Sequence, residues 1–338
     1  NLFKVLAAAL HIAAADHPHK TKIVSERSNF PTDLYIAEAL CKERGFTLQL
    51  VEADEITAAL QADVAVLMLT HVNYRTGAMH DMQALTVQAH AQGILTVWDL
   101  AHSAGAVPVT LKASGADFSV GCGYKYLNGG PGAPAFVWVA TRHQAQFLHP
   151  LSGWWGHAAP FEFTPDYRPA AGIARYQCGT QPILSLTALA CGLQATLAAE
   201  PLGGMAALRA KSLALTDLFI ELVETHCAGH GLALVTPREH AARGSQVCLS
   251  KTDASGATVG TGFCARRASR RRTSSCASTP SSCLIESSPC VTAPRAMPIR
   301  ARTSSRKGPA APERLAEPTR TIKACLKRLA ASPLAPRE

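Results

Sequence analysis

Two side chains between Val97 and Gly132 could do covalent chemistry together: the carboxylate of Asp99 and the amine of Lys125. Asp99 closes a run containing Leu95, Val97 and Trp98, which reads as a buried strand and continues as WDLAHSAGAVPV. Phe118 to Gly121 read as the next strand, ending in a turn that bears Lys125, within GADFSVGCGYKYLNGGPG. Two neighbouring buried strands bring the acid and the amine to one edge of a sheet. In open α/β sheets that edge is where ligands bind. An amine there can condense with an aldehyde, and a carboxylate there can keep a pyridine nitrogen protonated. The pair therefore suggests a pyridoxal-phosphate (PLP) site. His102 lies three residues beyond Asp99 and could bond to it or to the ring region, although a lone His is more often structural. Lys125 sits between Tyr124 and Tyr126, just before Gly129, Gly130 and Gly132, residues that let a backbone come close.

The elements that must hold these groups alternate. NLFKVLAAALHIAAA reads as an amphipathic helix over 2–15, without the basic region and cleavage site of a signal peptide. It begins without Met and without a cap, as a chain starting inside a domain would. Lys22 to Val24 is a short strand, followed by SERSNFPTD. Thr32 or Asp33 can cap the helix LYIAEALCKERG, which Gly45 closes. FTLQLVE is strand-like, Glu55 to Gln61 a short helix, and VAVLMLT a strand of the buried parallel kind, ending in Thr70, His71 and Asn73. Met82 to Gln92 is helical, Gly93 stops it, and AFVWVA is a further strand. This alternation argues for a doubly wound α/β sheet. Residues 141–180 are irregular and rich in Trp, His, Pro and Gly, a composition more often functional than idle at that length. Two long helical patterns follow, SLTALACGLQATLA and MAALRAKSLALTDLFIELVETHC, then LALVTP and SQVCLS as strands of a smaller unit. The expected division is a large α/β domain over 1–200, a partial small α+β domain over 201–263, and a tail over 264–338.

Composition narrows the classes. The net charge of +9 is unevenly spread: residues 1–263 hold 17 Lys and Arg against 20 Asp and Glu, and residues 264–338 hold 16 against 4. The basic character belongs to the tail, so the body has no nucleic-acid signature. The tail has no aromatic residue and loses hydrophobic periodicity until a weak helical pattern near 321–330. A disordered basic tail and translation in the wrong frame both fit that composition. Eleven cysteines occur without a CxxC pair, and Cys276, Cys283 and Cys290 recur every seven residues without zinc-site spacing. With no secretion signal the thiols read as reduced, in a cytoplasmic protein. No apolar run reaches the length of a membrane span by inspection, and no metal site, P-loop or dinucleotide fingerprint is expected.

Several segments are together recognisable: NLFKVL, SNFPTDLYIAE, LTHVNYRTGAMHDMQALT, WDLAHSAGAVPV, GCGYKYLNGGPG, LSGWWGH, GIARYQCGTQPI and TPREHAARGSQV. They resemble the bacterial kynureninase family across residues 1–250. The resemblance implies the aspartate-aminotransferase fold type, PLP as cofactor, and hydrolysis of L-kynurenine or 3-hydroxykynurenine to anthranilate or 3-hydroxyanthranilate and L-alanine, in tryptophan catabolism. It also implies a homodimer with a shared site. Two family features have no match here: a Thr/Ser pair upstream of NLFK that helps hold the cofactor phosphate, and an R-F-G-x-x-P-L-Y-type segment whose arginine holds the substrate carboxylate. Arg295 and Arg300 cannot take that role by proximity alone. An inactive kynureninase-like fragment, and another class V PLP enzyme such as a cysteine desulfurase, are the alternatives.

Residue by residue, the resemblance implies that Lys125 carries the cofactor aldehyde and Asp99 pairs with the pyridinium nitrogen. Phe30 stacks on the ring, and Thr32, Asp33 and His102 bond to the cofactor. Thr70 reaches the ring oxygen. Tyr124 contacts the phosphate and moves a proton during carbon–carbon cleavage. Trp154 and Thr180 reach the phosphate or the substrate across the dimer interface; loop packing is the bland reading for both.

Overall fold

The strand Val64–Thr70 (β3) is buried at all 7 positions, and the rest of the chain is built outward from it. A computed structural model describes residues 1–146, 149–252 and 258–263. The tail, with Arg295, Arg300, the cysteines of the seven-residue spacing and the helical pattern near 321–330, lies outside the described residues.

Four more strands run parallel to β3 in one sheet: Lys22–Glu26 (β1), Thr47–Val51 (β2), Leu95–Asp99 (β4) and Phe118–Cys122 (β5). Ala135–Val139 (β6) adds an antiparallel edge, giving the order β2-β1-β3-β4-β5-β6. The order reverses beside β1, which leaves a crevice outside the carboxyl ends of β1 and β3. Strand side chains alternate faces, and both faces here are covered. On one face Ile23, Val66, Met68, Val97 and Phe118 pack under the helices Leu2–Asp16 (α1) and Pro31–Arg44 (α2). On the other, Val24, Leu67, Leu69 and Trp98 pack with Ile56, from the short helix Ile56–Ala59 (α3), and with Met82 and Ala89, from the helix Met82–Ala91 (α4).

α1 departs from the amphipathic reading. It buries 10 of its 15 residues, including Lys4, whose Nζ donates to the carbonyl of Tyr176 at 2.8 Å. A helix apolar on most sides is a core helix, and its alanines let it lie close against the sheet. Lys4 thereby ties the irregular stretch 141–180 to the core. The start of α2 also differs: Pro31 occupies the first turn, Phe30 is the N-cap residue, and neither Thr32 nor Asp33 caps the helix. Gly45, at φ 74°, closes it as expected.

Helices Ile183–Leu197 (α5) and Gly204–His226 (α6) lead to a second sheet, in which Val247–Thr252 (β8) pairs antiparallel with Leu232–Leu234 (β7) and Thr258–Phe263 (β9). β9 was not foreseen in the sequence. α5 corrects one expectation. Residues Ile183–Leu202 are long and apolar enough, at a mean hydropathy of 1.4, to match a membrane span by length and composition. Ser185, Thr187 and Gln194 break the run to the eye, but Ala, Leu, Cys and Gly hold the average up. Gly192 is the buried residue of α5, set against the backbone of Leu127 and Asn128, whereas Leu184 is 88% exposed.

Candidate active site

Strand register brings the reactive groups to one edge. Thr70 pairs with Asp99 across β3 and β4, and Asp99 pairs with Val120 across β4 and β5. Beyond that row the strands end. The Asp99 carboxylate accepts from Ala101 N at 2.8 Å, which turns the chain over the edge and raises His102 above it. Gly105 lets this loop settle on the next one. Its φ is +81°, and a Cβ there would lie 2.7 Å from the carbonyl oxygen of Tyr126. Only glycine meets both conditions without strain.

The turn after β5 is closed by backbone bonds from Gly123 to Pro134, from Gly129 to Gly123 and from Asn128 to Lys125. It holds Lys125 half-buried at the same edge. Gly129 is placed by close approach, as expected, but nothing would crowd a Cβ at Gly130 or Gly132; they are glycines because their φ values are +74° and +81°. Lys125 Nζ lies 2.9 Å from His102 Nε2, and His102 Nδ1 lies 2.6 Å from Oε1 of Gln246. The Tyr124 ring centroid is 5.5 Å from the Lys125 ammonium, and Tyr124 is 45% exposed.

Asp33 comes from the first turn of α2 and meets Asp99 rather than capping its helix. Burial first, and the Asp99 charge second, push Asp33 up to about 8. Burial also raises Asp99, while the Ala101 N–H and Lys125 oppose the rise. Two carboxyls in one dry site cannot both ionise without a cation between them. Asp33 Oδ2 is buried and has no hydrogen-bond partner. The site can therefore hold a proton, or a cationic group, between two acids beside a primary amine.

Thr70 stands where the sequence reading put it, at the carboxyl end of β3, but its hydroxyl donates to the side-chain oxygen of Asn29. Asn29 in turn donates to Ser25 at 3.0 Å. Phe30 packs edge-to-face with Tyr74, centroids 5.3 Å apart, and is 42% exposed. Thr32 is exposed one residue before Asp33. Trp154 lies in an aromatic cluster with Trp155, Phe161 and Phe163, and Thr180 is exposed ahead of α5. Among the described residues no hydrogen bond, ion pair or ring contact joins Trp154 or Thr180 to Lys125 or Asp99. The geometry thus gathers Asp33, Asp99, His102, Tyr124 and Lys125, and sets Trp154 and Thr180 apart.

Three supporting groups escaped the sequence reading. Gln246 belongs to a quoted segment, TPREHAARGSQV, but nothing local marks it as a partner of His102. Asn29 reads as part of a loop. Glu26, at the end of β1, binds His80 Nε2 at 2.8 Å and Asn73 Nδ2 at 2.9 Å and so fixes the loop after β3. A polar residue that ends a buried strand was the available signal for Glu26.

Comparisons with known proteins fit this geometry. Residues 4–285 match the family model described as aminotransferase class-V. The chain is 60% identical over 250 residues to a kynureninase of Pseudomonas fluorescens, covering 73% of this chain and 59% of that one. It is 57% identical over 249 residues to a kynureninase of Burkholderia mallei (strain SAVP1), with the same coverage of 73% and 59%. The chain thus spans 59% of the length of these curated relatives. Among solved structures, an apo cysteine desulfurase from Thermococcus onnurineus NA1 shares the fold at a TM-score of 0.58 and 21% identity, over 73% of this chain and 61% of that one. A C-DES variant with glycine covalently linked to its PLP cofactor shares it at 0.59 and 15%, over 73% and 66%.

Proposed function

The chain belongs to the class-V aminotransferase family, and from that premise we propose that it holds PLP on Lys125 and forms part of a kynureninase. The reaction is hydrolysis of L-kynurenine or 3-hydroxykynurenine to anthranilate or 3-hydroxyanthranilate and L-alanine. The observation that carries the reading is the 60% identity to a kynureninase over the stretch that contains Lys125, Asp99, Asp33, His102 and Tyr124.

The residues fit the cofactor. A partnerless buried oxygen on Asp33, a second carboxyl on Asp99 and a primary amine at Lys125 suit a group with a basic ring nitrogen and an aldehyde. Bound PLP supplies an electron sink for the negative charge that develops on the substrate carbons. Asp99 holds a proton on the ring nitrogen, and a cation there relieves the repulsion between the two acids. Asp33, Thr32 and Phe30 would hold the ring, and Thr70, at the carboxyl end of β3, would bond to its oxygen. Lys125 Nζ takes the proton from the substrate α-carbon and gives it back as alanine forms. His102 Nε2 accepts a hydrogen bond from that amine and keeps it aimed. Water adds to the substrate γ-carbonyl, the Cβ–Cγ bond breaks, and Tyr124 Oη moves the proton that this cleavage requires. Trp154 and Thr180 serve the phosphate or substrate from a neighbouring subunit.

The assembly belongs to the same proposal: a homodimer with a shared site, located in the cytoplasm, with residues 1–200 as the large domain and 201–263 as part of the small one. The exposed apolar residues of α5, a helix whose Gly192 packs on Leu127 and Asn128 of the lysine turn, support a subunit contact close to the site.

The test is to supply L-kynurenine to the PLP-loaded protein and follow anthranilate fluorescence. Anthranilate and alanine in equal amounts are expected. Sulfide from cysteine, or a keto acid from an amino donor, with no anthranilate, would assign the chain to another branch of the family.

A further inference from the structure

We propose that Gln246, from the second sheet, fixes the tautomer of His102: the ring proton is held on Nδ1, and Nε2 presents a lone pair to Lys125. Gln246 is buried and immediately precedes β8. Its amide nitrogen donates to the carbonyl of Tyr74 at 2.9 Å and to that of Asn73 at 3.3 Å. Backbone carbonyls only accept, so the nitrogen must face them and the oxygen must face the other way. That oxygen lies 2.6 Å from His102 Nδ1. It carries no hydrogen, so Nδ1 is the donor. A neutral imidazole has one N–H, which leaves Nε2 as an acceptor, 2.9 Å from Lys125 Nζ. The opposite tautomer would set Oε1 against a lone pair and an N–H against the lysine ammonium. A doubly protonated ring would set two cations face to face.

Gln246 is therefore a positioning residue, acting on the amine through His102. With one amine hydrogen held by Nε2, the free rotation of Nζ is removed. The segment that docks the second sheet does the same work. Ser245 donates to Ala106 O at 2.9 Å, and Thr236, which accepts from Cys248 N, donates to Thr76 O at 2.7 Å. Gln246 lies among these bonds, so docking of the second sheet and orientation of the lysine are one event.

This inference rests on Lys125 being the reactive amine, but its test needs neither PLP nor substrate. The full chain is labelled with [15N]histidine, and the His102 nitrogens, assigned by their loss in His102→Gln, are read in long-range proton–nitrogen spectra without cofactor. The expected pattern is a protonated Nδ1 and an unprotonated Nε2, retained in Lys125→Ala, where no ammonium remains to hold Nε2. In Lys125→Ala combined with Gln246→Leu the protonated resonance is expected to move to Nε2. A protonated Nε2 in the unaltered chain overturns the proposal. So does a switch in Lys125→Ala alone, a test that stands even where the double variant does not fold. An unmoved Nδ1–H signal in a folded double variant overturns it too. Failure to make anthranilate would leave these spectra unchanged, so the two readings fail separately.

Discussion

The buried pairing of Asp33 with Asp99 leaves a mark on stability. Asp33 is pushed up to about 8 by burial and then by Asp99, from an ordinary value of 3.8. Between those pH values the folded chain keeps a proton that the unfolded chain has released. The stability this group contributes is full below about pH 4 and drains away as pH rises toward 8. Asp33→Asn is expected to flatten that slope and to be more stable than the unaltered chain at pH 8. Urea unfolding at pH 5 and pH 8 measures it; identical slopes in the two proteins would contradict it. At this scale Lys125 and Asp99 were legible because each sits within three residues of a strand end. Asp33 was legible only through the resemblance, since its local pattern is that of a helix start. Gln246 was not legible, being 144 residues from His102, with a contact made by tertiary docking alone.

Elements are held to one another by a few buried polar groups. Asp117, at the foot of β5, accepts from Thr96 N at 2.8 Å and from Arg142 at 2.6 Å, and binds His90 and His143 at 2.8 Å each. Burial alone would raise its pKa, yet the bonds from His143 and His90 hold it far below the usual carboxylate range. Its contribution is thus present above about pH 4 and lost as pH falls through the depressed value. Asp117→Ala strands these donors and is expected to cost roughly 3–5 kcal/mol at neutral pH. A loss under 1 kcal/mol in chemical unfolding would show that β4 and β5 do not depend on it. Asp81 is a milder case: as N-cap of α4 it accepts from Ala84 N at 2.9 Å. Asp81→Ala should lower stability by about 1 kcal/mol and leave cofactor binding intact, which parallel unfolding and PLP titrations would check. Element types were readable from period and punctuation, as in VAVLMLT and the Gly45 stop. The surroundings of α1 were not, because its apolar pattern fits one covered face as well as several. Nor was the cap of α2, where Pro31 at the first turn displaced Thr32 and Asp33 from that role.

At the scale of the molecule, two sheets meet through Gln246, Thr236 and Ser245, and α5 leaves an apolar side uncovered. Exposed apolar area of that kind marks an interaction face. Leu184 in α5 and Leu202 just beyond it are 88% and 78% exposed, and changing both to Glu is expected to make the proposed homodimer monomeric without unfolding it. Sedimentation of the two proteins would show this; an unchanged mass would move the subunit contact elsewhere. The α/β architecture was legible because β and α patterns alternate. α5 was legible as a helix, but its match to a membrane span was missed because scattered polar letters hide a high average. The most direct measurement is to add PLP, reduce with borohydride, digest the protein and locate the modified residue by mass spectrometry. A pyridoxyl group on Lys125, absent from Lys125→Ala, is the expected result. No adduct, or an adduct that persists in Lys125→Ala, would contradict the assignment of the sheet edge at Lys125 as the cofactor site.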